Sequence, residues 1–195
     1  MNPFRLLIGA GLLAAASFAG AEAPFPYQQP PAAMRRVLDA PPLPARVIDP
    51  TGTVLALVES RRYPKVEELA RPFLRLAGLR IDPGSNGPQR TTEIRRILLR
   101  PLLDSADPGR EVGLPVEGGF HGLSFAPNGK RFVLMQRSPE ATYLWLGGVD
   151  KAAIHRIQGL ALQALGDDEP FEWICTDRLV VRARPEGRTP PPAGC

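Results

Sequence analysis

Residues 122–135 read GLSFAPNGKRFVLM, and the reading of this stretch decides the fold. Ser124 lies between Gly122 and Ala126, close to the Gly-x-Ser-x-Gly elbow that carries the nucleophile of α/β-hydrolases. Such an elbow must run from a strand into a helix, and its last glycine relieves crowding in a tight turn. Here that position is Ala126, and Pro127-Asn128-Gly129 follows at once. Pro127 sets φ at the start of a turn, Gly129 supplies positive φ, and KRFVLM is then strand-forming. The stretch reads as a β-hairpin, with Ser124 on its first strand.

A second copy repeats the pattern. RVIDPTGTVLALVESR, residues 46–61, has an apolar strand, a turn through Pro50 and Gly52, and another apolar strand. A weaker third copy is PFEWICTDRLVVRAR, residues 170–184, with Thr176-Asp177-Arg178 at the turn. The interval from Gly129 to Asp177 suits one propeller blade of ~40–50 residues, and the longer one from Gly52 to Gly129 suits a blade carrying an insertion. Thr142–Leu146 and Ala153–Ile157 are predicted to complete the second blade. Thr91–Leu99 and Val112–Val116 are predicted as the later strands of the first. The intervening residues 62–90 form the insertion, with one helical turn at Val66–Leu69 stopped by Pro72 and an irregular loop at Gly84–Pro88.

Composition agrees with such a fold. The 195 residues are 44% hydrophobic and 23% charged, the balance of a folded chain with a core. The chain contains 23 prolines, which argues against long helices. The formal charge is +4, but the basic residues are dispersed. Arg95, Arg96 and Arg100 lack the interleaved aromatics of a nucleic-acid groove, so no nucleic-acid partner is expected.

The first residues differ from the rest. Arg5 precedes an apolar run from Leu6 to Gly20, and Ala19-Gly20-Ala21 is a small-x-small cleavage pattern. Residues 1–21 are expected to be a signal peptide, giving a secreted or periplasmic chain with no membrane attachment after cleavage. The apolar run is shorter than the ~20 residues of a membrane span. Residues 22–43 read as a Pro-rich amino-terminal segment, residues 44–184 as the partial propeller, and residues 185–195 as a Pro-rich tail.

Chemistry is sparse. His121 next to Gly122 imitates an oxyanion-loop dipeptide, but there is no elbow for it to serve; His155 falls in a predicted strand. Asp167-Asp168-Glu169 reads as a solvated loop, and GSNGPQ, residues 84–89, lacks the lysine and helix of a phosphate loop. Two cysteines and two histidines so widely spaced build no metal motif. Cys175 reads as a buried strand residue and Cys195 as an unrelated terminal thiol, with a bridge between the two as the alternative, and Trp145 and Trp173 read as aromatics packed between blades. No catalytic, cofactor-binding or metal-binding residue is assigned, and no cofactor is expected.

The run PPLPARVIDPTGTVLALVESRRYPKVEELARPFLRLAGLRIDP (41–83), with LSFAPNGKRF (123–132) and FEWICTDRLVV (171–181), resembles the amino-terminal propeller of prolyl oligopeptidase-type serine peptidases. It is most similar to the glutamyl endopeptidase branch, over about residues 27–192. ELARPFLRLAGLRIDP (68–83) is its most specific element. The resemblance implies an all-β, incomplete β-propeller of about three four-stranded antiparallel blades that restricts peptide access to a separate Ser-Asp-His α/β-hydrolase domain. Its implied partners are peptide substrates and that catalytic domain. A stand-alone envelope propeller that binds a partner and catalyses nothing is the alternative.

Overall fold

A computed structural model describes residues 29–89, 92–166 and 169–187. Contacts divide the chain into two units, Met1–Ala40 and Pro41–Cys195. In the first, α1 (Ala32–Leu38) follows Pro31 and carries Arg35 and Arg36 in its last turn, where cations suit the helix dipole. The expected signal peptide lies outside the described residues.

The second unit is all-β apart from one helical turn. β1 (Ala45–Ile48) and β2 (Val54–Ser60) form the first hairpin, and α2 (Val66–Leu69) is the helical turn read from the sequence. β3 (Leu74–Leu76), β4 (Leu79–Asp82) and β5 (Gly87–Pro88) make a small separate sheet. Then follow β6 (Ile94–Pro101), β7 (Arg110–Glu111), β8 (Phe120–Phe125), β9 (Arg131–Arg137), β10 (Thr142–Gly148) and β11 (Ala153–Arg156). β12 (Phe171–Trp173) and β13 (Leu179–Val181) form the last hairpin. All named strand pairs are antiparallel.

The large sheet runs β1-β2-β6-β8-β9-β10-β11, with β7 on β6. Its path does not close, because β1 and β11 are its two ends. β6 and β8 share one residue pair, Ile94 with Phe120, and the strands on either side of that junction bring their apolar faces together. Ala56 and Val58 of β2, and Ile97 and Leu99 of β6, join Phe120, Phe132 and Leu134 in one core cluster. A second cluster lies on the other face of β9 and β10, where Val133, Met135 and Leu144 meet Leu162 and Phe171, with Leu179 and Val181 packed against them. β9 explains both clusters. Strand side chains alternate, so Phe132 and Leu134 enter the first and Val133 and Met135 the second. The run FVLM is continuous because the strand is buried on both sides.

The two glycine hairpins match bond for bond. In the first, Asp49 N–H donates to Val54 O (3.1 Å) and Gly52 N–H to Asp49 O (3.0 Å). In the second, Ala126 N–H donates to Arg131 O and Gly129 N–H to Ala126 O, both at 2.9 Å. Gly52 has φ 70° and Gly129 φ 67°, a region that a side chain disfavours.

Four local expectations are corrected. The strand predicted at Val112–Val116 is replaced by β7 at Arg110–Glu111, and Val116 is fully exposed. Pro115 has no N–H to pair, and Gly118 and Gly119 bend the chain at positive φ. Residues 74–82, for which the sequence predicts no strand, form a hairpin because Ala77 and Gly78 both take positive φ, the geometry of a type I′ turn. The loop at Gly84–Pro88 is ordered rather than irregular: Gly87 and Pro88 pair with β4, while Ser85, Asn86 and Gln89 are buried. Asn86 bonds Gln163, and Ser85 O accepts from the Thr142 hydroxyl at 3.1 Å. Cys175 lies in the bend after β12, not in a strand, and its Sγ contacts Asp177 Oδ1 at 3.0 Å. Cys195 lies outside the described residues.

Candidate binding groove

The polar end of β9 borders a groove that brings aromatic, amide and charged side chains together. After Met135 the strand continues as Gln136 and Arg137, and cross-strand register sets Tyr143 of β10 opposite Gln136. Trp145 is opposite both Leu134 of β9 and Arg156 of β11. Because strand side chains alternate between faces, Gln136, Tyr143, Trp145 and Arg156 share the face that Leu134 turns toward the first core cluster. At this end they line a groove of about 580 Å³ with Arg137, Gln158 and Glu117.

Trp145 belongs to both core and groove. Its ring packs edge-on against Phe120, with centroids 5.5 Å apart, and its Nε1–H donates to Gln136 Oε1 at 2.9 Å. The Gln136 Nε2–H donates to Gly118 O at 3.1 Å, so the amide is fixed from both ends. Arg156 lies over the Tyr143 ring, 4.6 Å from its centroid, and Nη2 donates to Gln158 Oε1 at 3.3 Å.

Arg137 is held differently. Its Nη1 donates to the carbonyls of Gln89 and Pro88 in the insertion. Burial lowers the pKa of its guanidinium, and the carboxylates of Asp82, Glu68 and Glu93 oppose that effect. Glu68 and Glu93 also bridge to Arg61, which ties α2 and the start of β6 to the end of β2. The Glu68 carboxyl is partly desolvated, yet its bond with Arg61 holds it below the ordinary range.

Among the described residues, no hydrogen bond links Ser124 with His121 or His155. Ser124 lies within β8 opposite Val133, and no helix follows it. His121 is also in β8, opposite Met135, with Nδ1 3.2 Å from Gly119 O. Burial lowers its pKa to about 4, so it is neutral near pH 7. A register shift between His121 and Ser124 returns both to one face of the sheet, but no hydrogen bond joins them. His155 is exposed on β11. Glu169, the described member of the acidic triplet, borders a second cavity of about 440 Å³ with Phe171 and Arg182, and partial desolvation raises its pKa. Arg95 and Arg96 are exposed on β6; Arg96 bridges Glu59 (3.1 Å) and Glu111 (2.9 Å). Trp173 packs in the second core cluster. Among the described residues, no three His, Cys, Asp or Glu side chains are placed to hold a metal ion.

The sequence reading missed the groove because its members come from β9, β10, β11 and the turn before β8. The available signal was Tyr143-x-Trp145, two aromatics on one side of a strand whose neighbour turns polar at Gln136.

No family model matches the chain. A probable chloroplastic glutamyl endopeptidase of Arabidopsis thaliana is 29% identical over 177 residues, covering 85% of this chain and 18% of that protein. A protein of the same description from Oryza sativa subsp. japonica is 27% identical over 178 residues, covering 85% and 19%. The chain thus spans about a fifth of the length of the curated relatives it matches. The similarity supports a peptidase-related protein.

Proposed function

We propose that this chain is the substrate-gating propeller portion of an exported serine peptidase of the prolyl oligopeptidase type, in its glutamyl endopeptidase branch, and is inactive alone. The observation that carries the reading is similarity to two probable glutamyl endopeptidases over 85% of the chain. The layering supports it. β8-β9-β10-β11 is a four-stranded meander with an apolar core on each face, as a blade between two neighbours would be. β1-β2-β6 with β7 then corresponds to the preceding blade, and β12-β13 to the start of the next.

The chemistry supports inactivity. Peptide hydrolysis by a serine needs an activating base and donors aimed at the developing oxyanion. Ser124, held within a strand and facing a core layer, has neither in a strand-turn-helix setting. In this reading a separate α/β-hydrolase domain supplies the triad, and the propeller limits which peptides reach it.

The test is an assay of the purified 195-residue chain on peptides containing internal glutamate. No turnover is expected. Glutamate-directed cleavage that disappears in Ser124→Ala would overturn the proposal. Reading the DNA beyond codon 195 provides an independent check: further hairpins and then a Gly-x-Ser-x-Gly elbow are expected, whereas unrelated sequence would favour a stand-alone binding module.

A further inference from the structure

We propose that the groove over Tyr143 and Trp145 binds the carboxylate of a peptide, with Arg156 as its anchor. The proposal rests on the reading that the chain handles peptides, and adds the site and the chemical group it recognises.

The groove offers two arginines of different availability. Arg137 is occupied, because Nη1 is committed to two carbonyls and three carboxylates offset its charge. Arg156 forms no ion pair among the described residues. Its guanidinium lies on Tyr143, and only the Gln158 side chain accepts from it. A stacked guanidinium is oriented by the ring while its in-plane N–H groups stay free, which suits a planar carboxylate. Glu117 is the acidic residue lining the groove, and among the described residues it forms no ion pair with Arg156.

The remaining surface fits the chain on either side of such a carboxylate. Trp145 and Tyr143 supply flat apolar area, and Trp145 is immobilised by Phe120 and Gln136, so a ligand need not order it. The side chains of Gln136 and Gln158 bring amides suited to a peptide backbone. Ligand clefts of comparable volume hold molecules of drug size, so a groove of about 580 Å³ accommodates a few residues. Two carboxylates present this chemistry, an acidic side chain within a peptide and a peptide's own C-terminus.

Calorimetric titration of the whole chain with three N-acetylated peptides tests the site. The first is Ala-Ala-Glu-Ala-Ala with an amidated end, the second replaces Glu with Gln, and the third is the Gln peptide with a free terminus. At least one carboxylate peptide should bind about tenfold more tightly than the neutral one, the preference expected of one charge-assisted pair. Whichever of the two it is identifies the source. The preference should vanish in Arg156→Gln, weaken in Arg156→Lys, and persist in Arg46→Gln, which changes an exposed arginine outside the groove. Equal binding of all three peptides, no binding of any, or a preference surviving Arg156→Gln would overturn the proposal. Turnover abolished by Ser124→Ala would overturn the gating function instead and leave these titrations standing.

Discussion

Replacing Gly129 with alanine tests whether the two matching hairpins are docked on each other. Asp49 is buried in the first turn, where its carboxylate accepts from the backbone N–H groups of Thr51 (3.0 Å), Thr53 (2.7 Å) and Val54 (2.6 Å) and from the Thr51 hydroxyl. A methyl group on Gly129 would overlap Asp49 Oδ2 and come within 3.0 Å of its Cγ and 3.1 Å of Thr51 Oγ1. The carboxylate must then move and give up part of its set. Losing one charge-assisted bond costs about 1.5–3 kcal/mol. Gly129 has φ 67°, and this left-handed backbone adds roughly 1 kcal/mol for alanine. The total is about 3 kcal/mol, or roughly 6–12 °C in melting temperature for a chain of this size. Gly52 is the internal control, because it has nearly the same φ but nothing within 4 Å of an added Cβ. Gly52→Ala should cost only the backbone part, about 1 kcal/mol. Urea or thermal unfolding followed by circular dichroism reads the difference. In an Asp49→Ala background the excess at Gly129 should largely disappear, giving a coupling of about 2 kcal/mol. Equal costs at Gly52 and Gly129, or an excess unchanged without Asp49, would refute the docked-turn argument.

Gly147 faces Phe132 across the β9–β10 pair, and an added Cβ would overlap the fully buried ring. Gly147→Val should therefore displace that phenylalanine and cost about 3 kcal/mol or more, measured by the urea midpoint, and a neutral result would contradict the packing. His121 has its pKa lowered by burial to about 4, below the ordinary value of 6.5. The unfolded chain takes up the proton first, so stability is complete above pH 6.5 and falls toward pH 4, by at most about 3 kcal/mol. Unfolding of His121→Leu across this range should lose that slope, and an unchanged slope would assign it to other groups. Ile48 lies 53% exposed on the outer face of β1 and β2, beside half-buried Leu55. Ile48→Lys should reduce aggregation of the chain in light scattering without lowering its melting temperature, as expected of an exposed apolar residue.

The parts of the fold legible in the sequence are those whose causes are local. Pro50 and Gly52, and Pro127 and Gly129, announce their turns because a proline and a positive-φ glycine restrict the backbone wherever they occur. FVLM declares a buried strand by its composition. Ser85, Asn86 and Gln89 look like solvent-exposed loop residues and are buried, with the Asn86 amide bonded to Gln163 and the carbonyls of Ser85 and Gln89 accepting from Thr142 and Arg137. No local pattern encodes those partners. The same applies to the groove, where Arg156 is set opposite Trp145 by strand register, which depends on the turn at residues 149–152 and the positive φ of Ala152.

The insertion and the groove are physically one device. Arg137 forms a wall of the groove, and the carbonyls that hold its guanidinium belong to Pro88 and Gln89. Gln89 is in turn fixed by its Nε2–H donating to Arg71 O at 3.2 Å, and by its backbone N–H donating to Arg80 O at 2.8 Å. Arg61, Glu68 and Glu93 tie the helical turn of the insertion to the large sheet. A residue such as Arg137 loses much of its hydration on burial and stays charged because carboxylates and carbonyls replace water. The insertion provides Glu68 and Asp82, whose negative charges oppose the effect of that burial.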